Sequence, residues 1–198
     1  MLDVLRGSAA ADVPCGTCTG CCTSSYHLLI RQSDRAAVAA LGERWLLEAP
    51  GLQPGESLLG FHANGHCPAL EPTGCSIYAR RPVTCRDYDC RVFAAADIDA
   101  GGADKTVINA RVRSWRFEHE TVHALETQAA VRAAATFIRS QREAFPGGRA
   151  PTSPTGIAVL ALKAYGVFLE PVNEQRSSEE IARAMIEASR RFDLVRPA

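Results

Sequence analysis

Eight cysteines are the residues of this sequence best suited to chemistry. Four of them fall within residues 15–22, in the order Cys-x2-Cys-x2-Cys-Cys. The other four follow in one later stretch, and nothing beyond them contains sulfur except Met185. Thiolates are soft ligands that favour zinc, copper(I) and iron–sulfur clusters. The sequence therefore predicts a metal centre with eight candidate ligands, which are Cys15, Cys18, Cys21, Cys22, Cys67, Cys75, Cys85 and Cys90.

The first three of these cysteines have the spacing of an iron–sulfur loop. Cys15, Cys18 and Cys21 match the first three ligands of a bacterial ferredoxin run, in which such a loop binds three corners of a four-iron cluster. Cys67 is a candidate for the fourth ligand, because it precedes Pro68 and the remote ligand of that run also precedes a proline. The spacing is consistent with a 4Fe–4S cluster.

The rest of the first cysteine loop leaves the type of site open. Gly16 and Gly20 let the loop turn tightly and expose amides that can bond to sulfur. Cys21 and Cys22 are adjacent, and adjacent side chains diverge, so the pair seldom binds one tetrahedral zinc ion. Two four-ligand sites, or one site with spare thiols, both remain compatible with eight cysteines.

Arginines around the second cysteine group are candidate contacts to the cofactor. Four thiolates around zinc, or around an oxidised four-iron cluster, carry a net charge of about −2. Four arginines are close enough in sequence to offset that charge, namely Arg80, Arg81, Arg86 and Arg91. We assign cofactor binding to Arg81 and Arg86, and the alternative is that these arginines are solvated surface residues.

Together these residues resemble the CxxCxxCC cysteine-cluster family, also called YkgJ-like, whose domain is a zinc- or iron-chelating one. The resemblance covers about residues 13–92 and leaves the predicted helical half uncovered. It implies metal chelation through cysteines, with an iron–sulfur cluster ahead of zinc. It rests on the run of residues 15–22, on Cys67-Pro-Ala-Leu70 and on Gly74-Cys-Ser-Ile-Tyr78-x2-Arg81-Pro82-x2-Cys85-Arg86-x-Tyr88.

A second metal motif lies in the later half of the chain. His119-Glu120-Thr121-Val122-His123 is a literal H-E-x-x-H. On a helix both histidines would share a face, and Glu120 would be a general base beside a zinc-bound water, as in zinc metallopeptidases. Glu126 or Glu143 is a candidate third ligand. The opposing interpretation is a chance match, because His119 lies beside an apolar stripe and no further histidine motif follows.

Charge and composition narrow the possible partners. The 198 residues include 22 Lys plus Arg and 22 Asp plus Glu, so the formal net charge is zero. This balance argues against nucleic acid and against a membrane surface as partners. No apolar run reaches the roughly 20 residues of a membrane span, and the N-terminus lacks an apolar signal core, so we expect a cytoplasmic protein. In that reducing compartment clustered cysteines indicate metal ligation rather than disulfides.

The elements that must position the cysteines are short in the first half and helical in the second. We predict a leader at 1–14 and a single domain at 15–198, with a cysteine-cluster metal-binding part at 15–92 and a helical part at 107–198. Strands are expected at 25–30 and 57–62. Helices are expected at 33–48 with Ser33 as N-cap, at 107–145 with a break, at 153–169 and at 177–192.

The predicted fold class is therefore α+β and mostly helical, with an irregular cysteine-rich metal-binding half and short strands packed on three or four helices. The predicted function is metal binding by the cysteine cluster, with an iron–sulfur cluster for redox or for a modification reaction. A structural zinc module for protein interaction is the first alternative, and an HExxH zinc metallopeptidase is the second. The implied partner is an unknown protein or a redox donor.

Overall fold

The computed structural model describes Val13 and residues 15–26, 28–169 and 176–194. Contacts divide the chain into two compact units. We name the unit within Ala10–Asp89 and Ala103–Arg111 the cysteine unit, and the described residues of Cys90–Gly102 and Val112–Ala198 the helical unit. The predicted leader at 1–14 lies outside the described residues apart from Val13.

The described elements confirm a mostly helical α+β fold. The strands are β1 Leu29–Ile30, β2 Leu46–Leu47, β3 Ser57–Leu59, β4 Leu70–Glu71 and β5 Gly74–Cys75. The helices are α1 Arg35–Leu41, α2 Val83–Asp87, α3 Arg91–Ala96, α4 Thr106–Ser114, α5 Val122–Ser140, α6 Pro154–Ala164 and α7 Ser178–Leu194. Short 3-10 turns occur between them. No helix among the described residues is long and apolar enough to cross a membrane.

A small antiparallel sheet forms the centre of the cysteine unit. Its strand order is β1-β3-β2, with Leu29 opposite Leu58 and Leu46 opposite Leu59. Strands of two or three residues bury little surface by themselves, so the sheet depends on the apolar cluster packed with it. That cluster consists of Ile30, Leu41, Leu59, Ala69 and Ile77, with partly buried Cys67 and Cys75 against it.

Helix α1 differs from its prediction at both ends. It ends at Leu41 rather than near residue 48, because Gly42 takes φ 85° and breaks the helical path, and the chain continues as a 3-10 turn and then as β2. Its N-cap residue is Asp34, not Ser33. The buried Asp34 carboxylate instead accepts hydrogen bonds from the backbone amides of Arg31 at 2.9 Å and Val83 at 2.8 Å.

The helical unit is built on three longer helices. Helix α6 packs against α5, α3 and α7, and α3 also packs against α5. The centre of this packing is formed by fully buried side chains, which include Phe93, Ala134, Ile138, Ala158, Ala161 and Met185. The predicted burial of the helix that starts near residue 153 is confirmed by α6. The predicted break in the 107–145 segment lies at residues 115–121.

Local capping signals set the starts of these helices. Thr121 Oγ1 accepts a hydrogen bond from the Ala124 amide, and Ser153 Oγ accepts one from the Gly156 amide with Pro154 in the first position. Ser177 and Glu180 form the predicted capping box, because each side chain accepts a hydrogen bond from the other residue's amide.

Candidate metal centre

The first cysteine loop is a compact turn held by its own backbone. The Cys18 amide donates to the Cys15 carbonyl at 3.0 Å, and Gly16 between them takes φ 57°. A 3-10 turn then covers Gly20–Thr23. The Gly20 amide donates to Cys18 Sγ at 3.5 Å. This contact is the amide–sulfur bond expected from the glycines, and such bonds stabilise a thiolate.

A backbone hydrogen bond joins the second cysteine group to that loop. The Cys67 amide donates to the Cys22 carbonyl at 2.7 Å. Cys75 lies in β5, where it is paired with Leu70 of β4. Cys85 lies in α2, and Thr84 Oγ1 beside it donates to the Leu29 carbonyl of β1 at 2.7 Å. Sheet, hairpin and short helix therefore bring cysteines from across the unit toward one region.

Six cysteines of the cysteine unit lie close enough to influence one another's ionisation. The pKa of Cys22 is raised to about 12 by burial first and then by the like charges of its neighbours Cys67, Cys75, Cys18 and Cys15. The pKa of Cys85 is also raised to about 12, by burial first and then by Cys67, Cys22 and Cys75. The pKa values of Cys15 and Cys67 are raised mainly by burial too. These thiols cannot all ionise together without a cation among them.

The adjacent pair in the first loop diverges as expected. Cys22 is half-buried, and the charges of neighbouring cysteines contribute to its raised pKa, whereas Cys21 is exposed. In the ferredoxin-like spacing the third ligand would be Cys21. The greater burial of Cys22 instead favours it as the member of the pair that lies toward the other thiols. The assignment of Cys21 as a ligand stays a prediction.

Cys90 lies in the helical unit. It is buried, with 6% of its surface exposed, and its Sγ accepts a hydrogen bond from Trp115 Nε1 at 3.2 Å. The other seven cysteines belong to the cysteine unit. The assignment of Cys90 as a ligand also stays a prediction.

The two arginines predicted to bind the cofactor differ in their surroundings. Burial raises the pKa values of Cys15 and Cys85, and the charge of Arg81 offsets part of that rise. Its guanidinium lies 3.9 Å from the centre of the Tyr78 ring and donates to the Tyr78 carbonyl at 3.0 Å. Arg86 is exposed, and none of the cysteine pKa shifts described for this unit involves it.

Two basic residues beyond the second cysteine group were missed by sequence reasoning. Arg111 in α4 offsets part of the rise in the pKa of Cys15 that burial causes. Lys105 donates a hydrogen bond to the Ser24 carbonyl, and its ammonium lies 4.7 Å from the centre of the Tyr26 ring. These interactions join residues about 80 or more positions apart, so no local pattern signals them.

Helix α4 contacts the first cysteine loop through a glycine. A Cβ placed on Gly20 would lie 3.0 Å from Ile108 Cα and 3.2 Å from Ile108 Cβ. Ile108 itself is buried. Gly20 therefore serves two purposes, because its amide faces Cys18 Sγ and its missing side chain lets α4 approach.

The HExxH prediction is wrong in its essential geometry. Helix α5 begins at Val122, so His119 and Glu120 precede it and do not share a helical face with His123. The cause is the cap at Thr121, which starts the helix inside the motif. His119 Nε2 lies 2.6 Å from Gln128 Oε1, while the His123 side chain is 74% exposed and lies 3.9 Å from Glu126. This arrangement does not match the zinc site of a metallopeptidase.

The donor set of the cysteine unit fits a soft metal. Six of its thiols are half-buried and influence one another's pKa values, and the charges of Arg81 and Arg111 act on them as well. A backbone amide at Ala69 also favours the thiolate of Cys67. Within the described residues no three His, Cys, Asp or Glu side chains converge closely enough to hold a single ion. The thiols thus form a neighbourhood of donors rather than a closed coordination sphere.

Comparison with known proteins points to the same region. Residues 14–111 match the model of the CxxCxxCC family, which is described as "Putative zinc- or iron-chelating domain". The match extends past the 13–92 expected from the motifs and includes Arg111 of α4. No curated protein and no solved structure shows significant similarity to the chain.

Proposed function

Because residues 14–111 of this chain belong to the CxxCxxCC family of zinc- or iron-chelating domains, we propose that its cysteine unit holds an iron–sulfur cluster of the 4Fe–4S type. The cluster would serve electron transfer or the redox part of a modification reaction. The proposed ligands are drawn from the six coupled cysteines, Cys15, Cys18, Cys22, Cys67, Cys75 and Cys85.

The observation that carries this proposal is the mutual influence of the six thiols. Cys22 and Cys85 come from separate elements, yet the pKa of each is raised, after burial, by the same two neighbours, Cys67 and Cys75. A tetrahedral zinc ion and a four-iron cluster each bind four thiolates, but the cluster needs them spread around a larger body and leaves two thiols to line the site. The described thiols lie near one another without three of them converging on a single ion, which supports the larger body.

The chain's own residues have defined tasks in this proposal. The amides of Gly20 and Ala69 favour sulfur in its thiolate form at Cys18 and Cys67. Arg81 and Arg111 place positive charge near Cys15 and offset the negative charge of a thiolate-bound cluster. A bound cluster of this type supplies one-electron transfer, so the proposed partner is a protein that donates or accepts an electron.

A structural zinc site is the second candidate, and the size of the apolar cluster favours it. The sheet of the cysteine unit has strands of two or three residues around a cluster of five buried side chains. Metal binding to thiolates contributes folding free energy where a core is small. In this case the unit would serve as a rigid module for a protein partner.

The adjacent pair provides a matched test of the proposed ligands. We expect Cys22→Ser to lose most of its iron and acid-labile sulfide, because a half-buried thiol near four other cysteines is removed. Cys21→Ser, one position away and exposed, should keep both. Protein is prepared without oxygen, and circular dichroism checks that each variant is folded. Equal iron and sulfide in the two variants would contradict the assignment, and zinc in place of iron would favour the second candidate.

A further inference from the structure

An open cleft of about 1020 Å³ lies within the helical unit. Its volume is at the upper end of the range for small-ligand sites, which is about 300–1000 Å³. No cysteine is among its described lining residues. The lining contains five arginines, which are Arg113, Arg116, Arg132, Arg139 and Arg142.

The charge of this cleft is strongly one-sided in a chain that is neutral as a whole. Against five arginines the lining has two carboxylates, Asp97 and Asp99. Arg113 forms a bidentate pair with Asp99, at 3.1 Å from Nε to Oδ1 and 2.6 Å from Nη2 to Oδ2. The remaining lining charges therefore leave an excess of positive charge. Gathering like charges in one cleft is costly unless an anion binds there.

Three of the arginines are available to such an anion. Arg132 and Arg139 are seven positions apart on α5 and so lie on one face of the helix, and Arg142 follows in the next turn. All three side chains are exposed. Among the described residues, no hydrogen bond or ion pair engages their guanidinium groups. Guanidinium groups bind phosphate through paired hydrogen bonds, which makes arginine the preferred residue for such anions.

Aromatic and carboxylate groups in the same cleft point to more than a bare anion. Trp115 and Phe117 line it and are both half-buried. The hydrogen bond from Trp115 Nε1 to Cys90 Sγ fixes the indole ring. Arginines and aromatic rings together suit a planar base as well as a phosphate. Asp97 adds a carboxylate, the group that accepts hydrogen bonds from ribose hydroxyls in nucleotide sites.

We propose that this arginine-lined cleft of the helical unit binds a nucleotide, with the phosphates on Arg132, Arg139 and Arg142 and the base against Trp115 and Phe117. The proposal does not depend on the metal centre, since its residues all belong to the helical unit. Gln128 is another lining residue, and its side chain is oriented by the contact with His119. His119 therefore supports the edge of the cleft through Gln128.

Trp115 itself provides the readout. The chain has two tryptophans, and the other is Trp45 in the cysteine unit. In the full-length Trp45→Phe protein, the tryptophan emission therefore comes from Trp115. We expect ATP to change this emission saturably, and calorimetry on the unmodified protein to give the same Kd. Adenosine, which lacks phosphates, and tripolyphosphate, which lacks a base, should each bind at least about tenfold more weakly.

Variants locate the binding in the cleft. Replacing both Arg132 and Arg139 with Gln should weaken ATP binding by at least about tenfold. Arg190→Gln is the matched control, because Arg190 is an exposed arginine of the same unit outside the cleft lining and should leave the Kd unchanged. Iron content is measured in each variant and should not change. No saturable response to ATP, or equal Kd values for the double variant and Arg190→Gln, would overturn the proposal. Equally tight binding of adenosine or tripolyphosphate would overturn the assignment of a nucleotide.

Discussion

The two units of this chain are stabilised internally by different interactions. The helical unit has helices of 19, 11 and 17 residues whose contact faces are rich in alanine. Small side chains let helix backbones approach closely, and apolar burial then stabilises the unit. Six of its alanines are fully buried, namely Ala134, Ala135, Ala158, Ala161, Ala164 and Ala182.

The cysteine unit has a different construction. Its regular elements are two to nine residues long, and long-range hydrogen bonds join them, such as those from the Val83 amide to Asp34 and from Thr84 to the Leu29 carbonyl. Its half-buried thiols occupy space that apolar side chains fill in the helical unit. The difference indicates that one chain can combine a unit stabilised by its apolar core with a unit in which specific polar bonds and, in our proposal, a bound metal replace part of such a core.

Metal removal should affect the stability of the two units most differently. We expect a chelator to expose the backbone amides of residues 29–85 to hydrogen exchange, while those of residues 122–164 stay protected. Thiolate-bound structural metal contributes folding free energy on the order of 10 kcal/mol in zinc-finger peptides, so the effect should be large. Hydrogen-exchange mass spectrometry with and without the chelator measures it. Equal loss of protection in both segments would contradict the comparison.

A substitution in the core of the helical unit should destabilise that unit and leave the metal content unchanged. Ile138→Ala removes a fully buried side chain from α5 and should cost about 2–5 kcal/mol in the free energy of unfolding. Leu125→Ala on the same helix is the control, since Leu125 is 52% exposed and should change stability little. Denaturant unfolding measures both variants. Metal content should stay the same in each, and loss of metal in Ile138→Ala would show that the units do not behave independently.

A buried carboxylate tests the polar bonds of the cysteine unit. Asp34→Asn keeps the shape of the side chain but replaces one of the two oxygens that accept from Arg31 and Val83. We expect a loss of about 1–3 kcal/mol. Asp87→Asn is the control, because its carboxylate is 56% exposed and lies 3.8 Å from Arg31. If both variants unfold at the same denaturant concentration, Asp34 has no special part in holding α2.

The smallest expected effect is at a helix cap. Ser177→Ala removes the side-chain oxygen that accepts from the Glu180 amide and should cost about 1 kcal/mol. Ser189→Ala, inside the same helix, should not destabilise it, because alanine has the higher helix propensity. Thermal unfolding compares the two. A destabilisation that is larger at Ser189 would contradict the role of the cap.

Features encoded by neighbouring residues were predictable from the sequence. The capping box at Ser177 and the start at Ser153-Pro154 depend on residues three or four apart, and both predictions are confirmed. The mostly helical fold and the cysteine motifs were predictable for the same reason. The divergence of Cys21 and Cys22 was foreseen, but which of the two faces the other thiols was not, because that depends on how the loop packs.

Features that depend on distant contacts were not predictable. The local pattern before α1 predicts Ser33 as N-cap. The Asp34 carboxylate instead accepts a hydrogen bond from the amide of Val83, which lies 49 positions later. Lys105 and Arg111 act on the first cysteine loop across more than 80 positions. The HExxH match failed because Thr121 is a better cap than its neighbours, a competition that a motif search does not weigh.

The most direct test of the central claim is the composition of the metal centre. Protein purified without oxygen and without added metal should be brown, with about four iron and four acid-labile sulfide per chain, as a 4Fe–4S cluster requires. Colourless protein that contains stoichiometric zinc and no sulfide would contradict the iron–sulfur claim and make the cysteine unit a structural zinc module.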